Sequence, residues 1–298
     1  MLKPADTRTV LTVVADAASD DIAEAVWRVG RNLSTESDRL GPNAVDFPIA
    51  WDGAREEMQA ECEAIFADLK VDWCWQPAEG RRKRLLVADM DSTIINVECL
   101  DELADFAGKK DEVAAITERA MRGELEFEGA LRERVAMLKG LGLSALQQCY
   151  DERVRLNPGA ETLVKTMAAN GARCVLVSGG FTFFTQRVAK AAGFHTQRAN
   201  TLIQEGEALA GTVGEPILGR EAKLAALKQE AAALGVPLSE TLAIGDGAND
   251  LAMIEAAGLG LAYRAKPVVA ARAHARIDHC DLTAALYFQG YRAEAFAA

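Results

Sequence analysis

Three short, almost wholly apolar runs each stop abruptly at a polar cluster. Leu85-Leu-Val-Ala88 ends at Asp89, Cys174-Val-Leu-Val177 at Ser178-Gly-Gly180, and Thr241-Leu-Ala-Ile244 at Gly245-Asp246-Gly247. Apolar throughout rather than alternating, such runs suit strands of a parallel sheet covered on both faces. A fourth, Gly258-Leu-Gly-Leu-Ala262, follows one helix after the third. The helical segments between them end at glycines suited to the position after the last turn: Gly171, Gly193, Gly235 and Gly258. This alternation predicts an α/β fold built on a doubly wound parallel sheet, a Rossmann-like core. In such sheets ligands bind at the carboxyl ends of the strands, where all three polar clusters fall.

Around that core the pattern changes twice. Residues 98–156 contain no strand-like run; Glu102–Phe106, Asp111–Met121, Gly129–Leu138 and Ser144–Arg153 read as helices. That is too long for one crossover helix and predicts a helical cap inserted after the first strand of the core. Residues 1–80 form a second unit, α+β, with strands at Thr9–Val14, Ala44–Trp51 and Val71–Trp75 and helices at Asp21–Leu33 and Ala54–Leu69. All four tryptophans (Trp27, Trp51, Trp73, Trp75) lie in it. Arg81-Arg-Lys-Arg84 marks a short polar linker into the second unit, at 81–298. Leu286–Gly290 reads as native helix.

Composition narrows the function classes. The 298 residues carry 33 Lys+Arg against 44 Asp+Glu, a formal net charge of −11, which disfavours nucleic acid and anionic membrane as partners. There is no apolar run of membrane-spanning length and no signal-peptide h-region at the N-terminus, and the six cysteines include no Cys-x-x-Cys pair. These features predict a cytoplasmic protein with reduced thiols.

The polar strand tips carry the chemistry. Asp89-Met-Asp91-Ser-Thr93 puts two carboxylates at one tip, and Gly245-Asp246-Gly-Ala-Asn249-Asp250 puts two more at another. A lone Asp-x-Asp is usually a helix cap or turn; polar positions converging from three strands are harder to explain structurally. Such a cluster calls for a divalent cation, and oxygen ligands without neighbouring His or Cys favour Mg²⁺ over zinc. Ser178, Gly179 and Gly180 can turn a hydroxyl and backbone N–H groups toward a phosphate at the start of a helix. Lys223 lies in the helix before the third strand, either as a solvated residue or as the cation that neutralises phosphoryl charge.

Together, Asp89-Met-Asp-Ser-Thr93, Ser178-Gly-Gly180, Lys223 and Gly245-Asp-Gly-Ala-Asn-Asp250 resemble the four ordered motifs of the haloacid dehalogenase (HAD) phosphatases. Within that superfamily, Asp89-x-Asp-Ser-Thr93-x4-Glu98 and the cap segment Met121-Arg-Gly-Glu-Leu-Glu-Phe127-x3-Leu131-Arg-Glu-Arg134 resemble the phosphoserine phosphatase family, over about residues 85–290. The resemblance implies a HAD-like fold and roles for particular residues. Asp89 is the nucleophile that becomes an aspartyl-phosphate, and Asp91 the general acid and base. Mg²⁺ is held by Asp89, the backbone carbonyl of Asp91 and Asp246, with Asp250 supporting from outside the immediate ligands. Ser178, Gly179 and Lys223 bind the transferring phosphoryl group, and Asn249 contacts the phosphate or holds Ser178.

For the substrate O-phospho-L-serine, Glu98 is expected to meet the ammonium and Arg134 the carboxylate, with Met121 and Phe127 closing over the site. Hydrolysis of this ester is the last step of the phosphorylated route of serine biosynthesis. The N-terminal unit resembles a shortened ACT-like domain, which implies serine feedback or a homodimer, or else a plain folding or docking role. Rival readings are a HAD phosphatase or phosphotransferase for homoserine phosphate or a sugar phosphate, and a non-catalytic amino-acid sensor. A sugar offers no charges for Glu98 and Arg134, and a P-type ATPase would need membrane helices.

Overall fold

The structure is a computed structural model and describes residues 9–16, 19–33, 35–50, 54–121 and 124–297, the Met121 side chain excepted. The N-terminal unit runs β1 (Thr9–Ala15), α1 (Asp21–Leu33), β2 (Asp38–Gly41), β3 (Ala44–Ile49), α2 (Arg55–Phe66), β4 (Val71–Pro77). Its strands form one antiparallel sheet in the order β2-β3-β1-β4, the split β-α-β arrangement of ferredoxin-like units. The strand β2 is absent from the sequence reading because Asp38 and Arg39 are charged, exposed and on the sheet edge, where alternation is not required. Trp51 lies outside the described residues. Helix α1 buries Ile22, Ala25 and Val29, spaced three and four apart, and carries Asp21 and Glu24 in its first turn, where the helix dipole favours acids.

Both faces of this small sheet are covered. Leu11, Val13, Val45 and Phe47 pack under α1 and α2. Val14, Leu40, Ala44 and Cys74, from the opposite face, belong to the same apolar cluster as the catalytic unit. The short polar linker is partly buried between the two units. Lys83 is 7% exposed and donates from Nζ to the carbonyls of Gly80 at 3.0 Å and Ser239 at 2.9 Å. Arg81 pairs with buried Asp46 at 2.6 Å. Asp72 accepts backbone N–H bonds from Asp278, His279 and Cys280 at 2.9, 3.2 and 2.8 Å, joining the first unit to the end of the second.

The catalytic unit continues with β5 (Leu85–Ala88), the cap helices α3 (Cys99–Phe106), α4 (Lys110–Met121), α5 (Phe127–Ala136) and α6 (Leu143–Arg153), and α7 (Ala160–Ala169). There follow β6 (Arg173–Phe181), α8 (Thr182–Ala192), β7 (Thr196–Asn200), β8 (Leu202–Glu205), β9 (Ala208–Val213) and α9 (Arg220–Leu234). The chain ends with β10 (Thr241–Gly245), α10 (Leu251–Ala256), β11 (Leu259–Tyr263), α11 (Pro267–Ala270), β12 (Ala275–Ile277) and α12 (Ala284–Phe288). The main sheet is parallel, in the order β12-β11-β10-β5-β6-β7. Strand order reverses between β5 and β10, so the crevice at their carboxyl ends is the topological switch point.

In β5, Leu85 and Val87 face a cluster with α9 and α10, while Leu86 and Ala88 face the cluster shared with α7, α8 and the cap. Strands β7 and β12 and the β8–β9 hairpin are absent from the sequence reading: β7 is polar, β12 is three residues long, and β8 and β9 lie outside the main sheet. That hairpin supports the cap: Gly140 donates to Leu209 O and Leu209 to Leu141 O, both at 2.9 Å. One glycine assignment is also corrected. Gly171, Gly193 and Gly235 have positive φ as expected, but Gly258 does not. A Cβ at Gly258 would lie 2.0 Å from Ser239 O, so glycine is needed there for close backbone approach. Among the described residues no helix is long and apolar enough to cross a membrane.

Candidate active site

At the tip of β5 the chain turns sharply. Ser92 adopts a φ of 56°, and Ile95 N–H reaches back to Met90 O at 3.0 Å. Asn157 fastens the loop, donating from Nδ2 to the carbonyls of Thr93 at 2.8 Å and Ile95 at 3.0 Å. This turn sets Asp89 and Asp91 beside one another. Asp89 is 5% exposed and pairs with Lys223 Nζ at 2.6 Å. The same ammonium bonds Asp250 Oδ1 at 2.5 Å, and Asp250 Oδ2 accepts Gly247 N–H at 3.0 Å. Lys223 is therefore a buried bridge between two strand tips and not a solvated helix residue. Only glycine at 245 allows this packing, because a Cβ there would sit 2.4 Å from Asp250 Cγ.

Asp91 is held by both oxygens. Oδ1 accepts the N–H of Cys99, the first residue of α3, at 3.0 Å, and Oδ2 accepts the Ser178 hydroxyl at 3.0 Å. Ser178 Oγ in turn accepts Gly180 N–H at 2.8 Å. Asn249 makes no bond to Ser178, so of its two expected roles that one is not realised; its Oδ1 curls over Gly247. Asp246 accepts the Thr93 hydroxyl at 3.2 Å. Phe127, at the start of α5, covers the loop: a Cβ on Gly179 would meet its ring at 3.3 Å and one on Gly219 at 3.7 Å. Glu98 sits at the start of α3 and accepts the Ser92 hydroxyl at 2.6 Å. Arg134, on α5, is half-buried and has no carboxylate within 4.0 Å among the described residues; its Nε donates to Ala130 O at 3.3 Å. Met121 ends α4, and its side chain lies outside the described residues.

The electrostatics are those of a site short of positive charge. Burial pushes the Asp89 carboxyl well above the usual range, the charge of Asp250 adds to this, and Lys223 opposes it. Burial also raises Asp91 against its bonds from Cys99 and Ser178, and raises Asp246 with help from Asp250. Burial works against the Lys223 ammonium, yet Asp89 and Asp250 hold it above its ordinary value. Glu98 still reaches solvent, but the surrounding walls push it up to about 7, with Asp91 contributing. One ammonium faces four aspartates, and carboxylate oxygens of Asp89, Asp246 and Asp250 lie within 4.8 Å of one another. An all-oxygen set of this charge fits a hard divalent cation.

One residue of the site left no sequence signal. Asn200, at the end of β7 and 2% exposed, donates from Nδ2 to Gly179 O at 2.8 Å and accepts Leu218 N–H at 2.7 Å. It ties the Ser-Gly-Gly turn to the segment that opens α9 and so to Lys223. A buried asparagine ending a polar strand could have been noticed, but its partners are separated from it by about twenty residues on either side.

Similarity to known proteins runs the length of the chain. The haloacid dehalogenase-like hydrolase family matches residues 86–255. A phosphoserine phosphatase of Streptomyces coelicolor is 41% identical over 292 residues, covering 95% of this chain and 69% of that protein. Among solved structures, a HAD family hydrolase from Salmonella enterica serovar Typhi superposes with a TM-score of 0.85 at 28% identity, over 95% of this chain and 98% of its own. A substrate-bound phosphoserine phosphatase complex gives 0.65 at 37% identity, over 70% of this chain and 98% of its own.

Proposed function

The chain belongs to the phosphoserine phosphatases of the haloacid dehalogenase-like hydrolase family, and from that premise we propose that it hydrolyses O-phospho-L-serine through an aspartyl-phosphate on Asp89. The observation that carries this reading is the buried Asp89–Lys223–Asp250 bridge beside Asp91 and Ser178, contributed by separate strand tips. Asp89 attacks the phosphorus; the Asp89 O–P bond forms as the P–O bond to serine breaks. Asp91 supplies the proton to the departing serine oxygen, then takes one from the water that splits the acyl phosphate and releases inorganic phosphate. Because Cys99 N–H pins Oδ1, Oδ2 is the oxygen that exchanges the proton, and the Ser178 hydroxyl steers it. A raised pKa suits a carboxyl that must be neutral in one step and ionised in the next.

Lys223, Ser178 and the Gly179 backbone bind the charge on the transferring oxygens. Mg²⁺ would be held by Asp89, the Asp91 carbonyl and Asp246, with Asp250 fixing Lys223 beside it. When bound, it would offset the repulsion between an anionic nucleophile and an anionic ester. Glu98 takes the substrate ammonium, and Arg134, with no carboxylate partner among the described residues, takes the substrate carboxylate in a two-pronged contact. Phe127, and Met121 by its place in the cap, exclude water during the attack. Asn249 faces the phosphate. The activity belongs in the final, dephosphorylating step of serine synthesis, in the cytoplasm.

The test is phosphate release from O-phospho-L-serine, with Mg²⁺ and with EDTA, beside O-phosphohomoserine and a sugar phosphate. Mg²⁺-dependent release from phosphoserine, abolished in Asp89→Asn with the fold retained by circular dichroism, is the expected result. Release chiefly from another ester would discard the roles of Glu98 and Arg134.

A further inference from the structure

A second cavity lies far from these strand tips. It measures about 510 Å³ and opens between the N-terminal unit and the amino ends of β10 and β11, with Trp75, Pro77, Lys83, Ser239, Leu259 and His274 in its walls. The five-residue strand β10 separates it from Asp246, so the two sites are roughly 15 Å apart at ~3.3 Å per residue. It is therefore no extension of the catalytic crevice.

The cavity concentrates positive charge and unused donors. Lys83 is 7% exposed, its ammonium has only the carbonyls of Gly80 and Ser239, and no carboxylate lies within 4.0 Å of it among the described residues. Arg55 also lines the cavity, and its only bond among the described residues is to the His274 carbonyl at 3.1 Å. Arg81 is neutralised by Asp46, yet its Nη1 is buried without a partner, as is Trp75 Nε1. Two of the three buried, unpartnered side-chain polar atoms among the described residues thus belong to walls of this one cavity. Of the acids nearby, Glu79 stands exposed and Glu240 is engaged by Arg84 at 3.1 Å. Buried donors and an uncompensated ammonium are costly unless something accepts from them.

We propose that this cavity is a binding site for a small organic carboxylate. A carboxylate brings only acceptors, matching the unused donors of Arg81 and Trp75, and its charge offsets Lys83 and Arg55, while Glu79 and Glu240, which also line the cavity, leave the three cations in excess. The apolar walls of Trp75, Pro77 and Leu259 suit an organic body better than a bare inorganic anion. Occupancy would strengthen the junction between the N-terminal and catalytic units, since Arg55 and Trp75 come from one side and Ser239, Leu259 and His274 from the other.

All four tryptophans lie in the N-terminal unit, so intrinsic fluorescence reports on that unit, with Trp75 in the cavity wall, rather than on the catalytic crevice. The full-length protein is titrated with acetate, L-lactate and benzoate, and separately with inorganic phosphate, with sodium chloride at matched ionic strength. The expected result is a saturable fluorescence change and a rise in the unfolding midpoint with at least one carboxylate. It should weaken about tenfold or more in Lys83→Met and in Arg55→Gln, and persist in Arg134→Ala. Arg55→Gln sits at an exposed helix start and keeps the test valid if Lys83→Met fails to fold. Saturation by phosphate alone overturns the carboxylate assignment. A response matched by chloride, unchanged in Arg55→Gln, or absent with every carboxylate means the cavity holds only water, and overturns the site.

Discussion

Replacing Asn200 with alanine should damage catalysis through a residue that need never touch the substrate. Its amide makes two good hydrogen bonds, to Gly179 O at 2.8 Å and from Leu218 N–H at 2.7 Å, and a weak third to Leu218 O at 3.4 Å. Losing them costs about 1 kcal/mol per good bond, and leaving the partly buried Leu218 N–H unpaired adds about 1 more, so about 2–3 kcal/mol of stability in all. For a chain of this size that is a fall of roughly 5–10 °C in the unfolding midpoint. The larger effect is geometric. The peptide between Gly179 and Gly180 is fixed at one end by Asn200 and at the other by Ser178 Oγ, which also holds Asp91. A displacement of about 1 Å at a phosphate-binding turn can cost on the order of a hundredfold in turnover.

Asn200→Asp is the second variant: it keeps an acceptor for Leu218 N–H and loses the donor to Gly179 O. Phosphoserine hydrolysis and calorimetry on both variants are the assays. The kcat of Asn200→Asp should fall at least as far as that of Asn200→Ala, and its loss of stability should be no smaller, because a buried carboxylate would face Gly179 O. Unchanged kcat in both variants, with only the midpoint lowered, would refute the positioning argument and leave Asn200 a structural tie.

Three other outcomes follow from the geometry. Arg134→Ala should raise KM for phosphoserine by about tenfold or more while leaving hydrolysis of an ester without a carboxylate nearly unchanged; equal effects on both would remove Arg134 from substrate recognition. Glu98 has a folded-state pKa of about 7 against an ordinary 4.5, so the unfolded chain releases this proton first. Its contribution to stability therefore falls as pH rises through 4.5 to 7, and Glu98→Gln should flatten that slope in metal-free thermal melts. Because Glu98 must be ionised to meet an ammonium, kcat/KM for phosphoserine should also rise with pH near 7 in the parent and less so in Glu98→Gln. Asp72→Ala strips the acceptor from three backbone N–H groups and should lower the unfolding midpoint by roughly 5–10 °C with kcat preserved. A midpoint unmoved by that change would mean that the two units are not held together there.

The order of elements and the chemistry of the strand tips are written locally. Apolar runs that end in Asp89, Ser178 and Asp246 specify buried parallel strands, and parallel strands bring their carboxyl ends to one edge, so the convergence follows from chain direction alone. Three of the cap helices, α4, α5 and α6, run for ten residues or more and are legible as helical segments without a strand-like run between them. Strands β2, β7 and β12 are not, because β2 and β12 are only four and three residues long and β7 is polar. The same limit hid Asn200, whose partners Gly179 and Leu218 lie on different elements.

Chain order could suggest Lys223 as a phosphate ligand, but only the packing of α9 against β5 and β10 turns it into a buried bridge between Asp89 and Asp250. Likewise Arg81-Arg-Lys-Arg84 reads as a polar linker from composition, because charge is a property of residues and burial is a property of what surrounds them. Periodicity and motif in the chain specify the four central strands of the sheet, the presence of a helical cap and the set of reacting groups. The tertiary structure alone decided which charges are paired, which are stranded, and how closely the first unit is joined to the second. Those outcomes depend on contacts between elements far apart in the chain, and no local pattern records them.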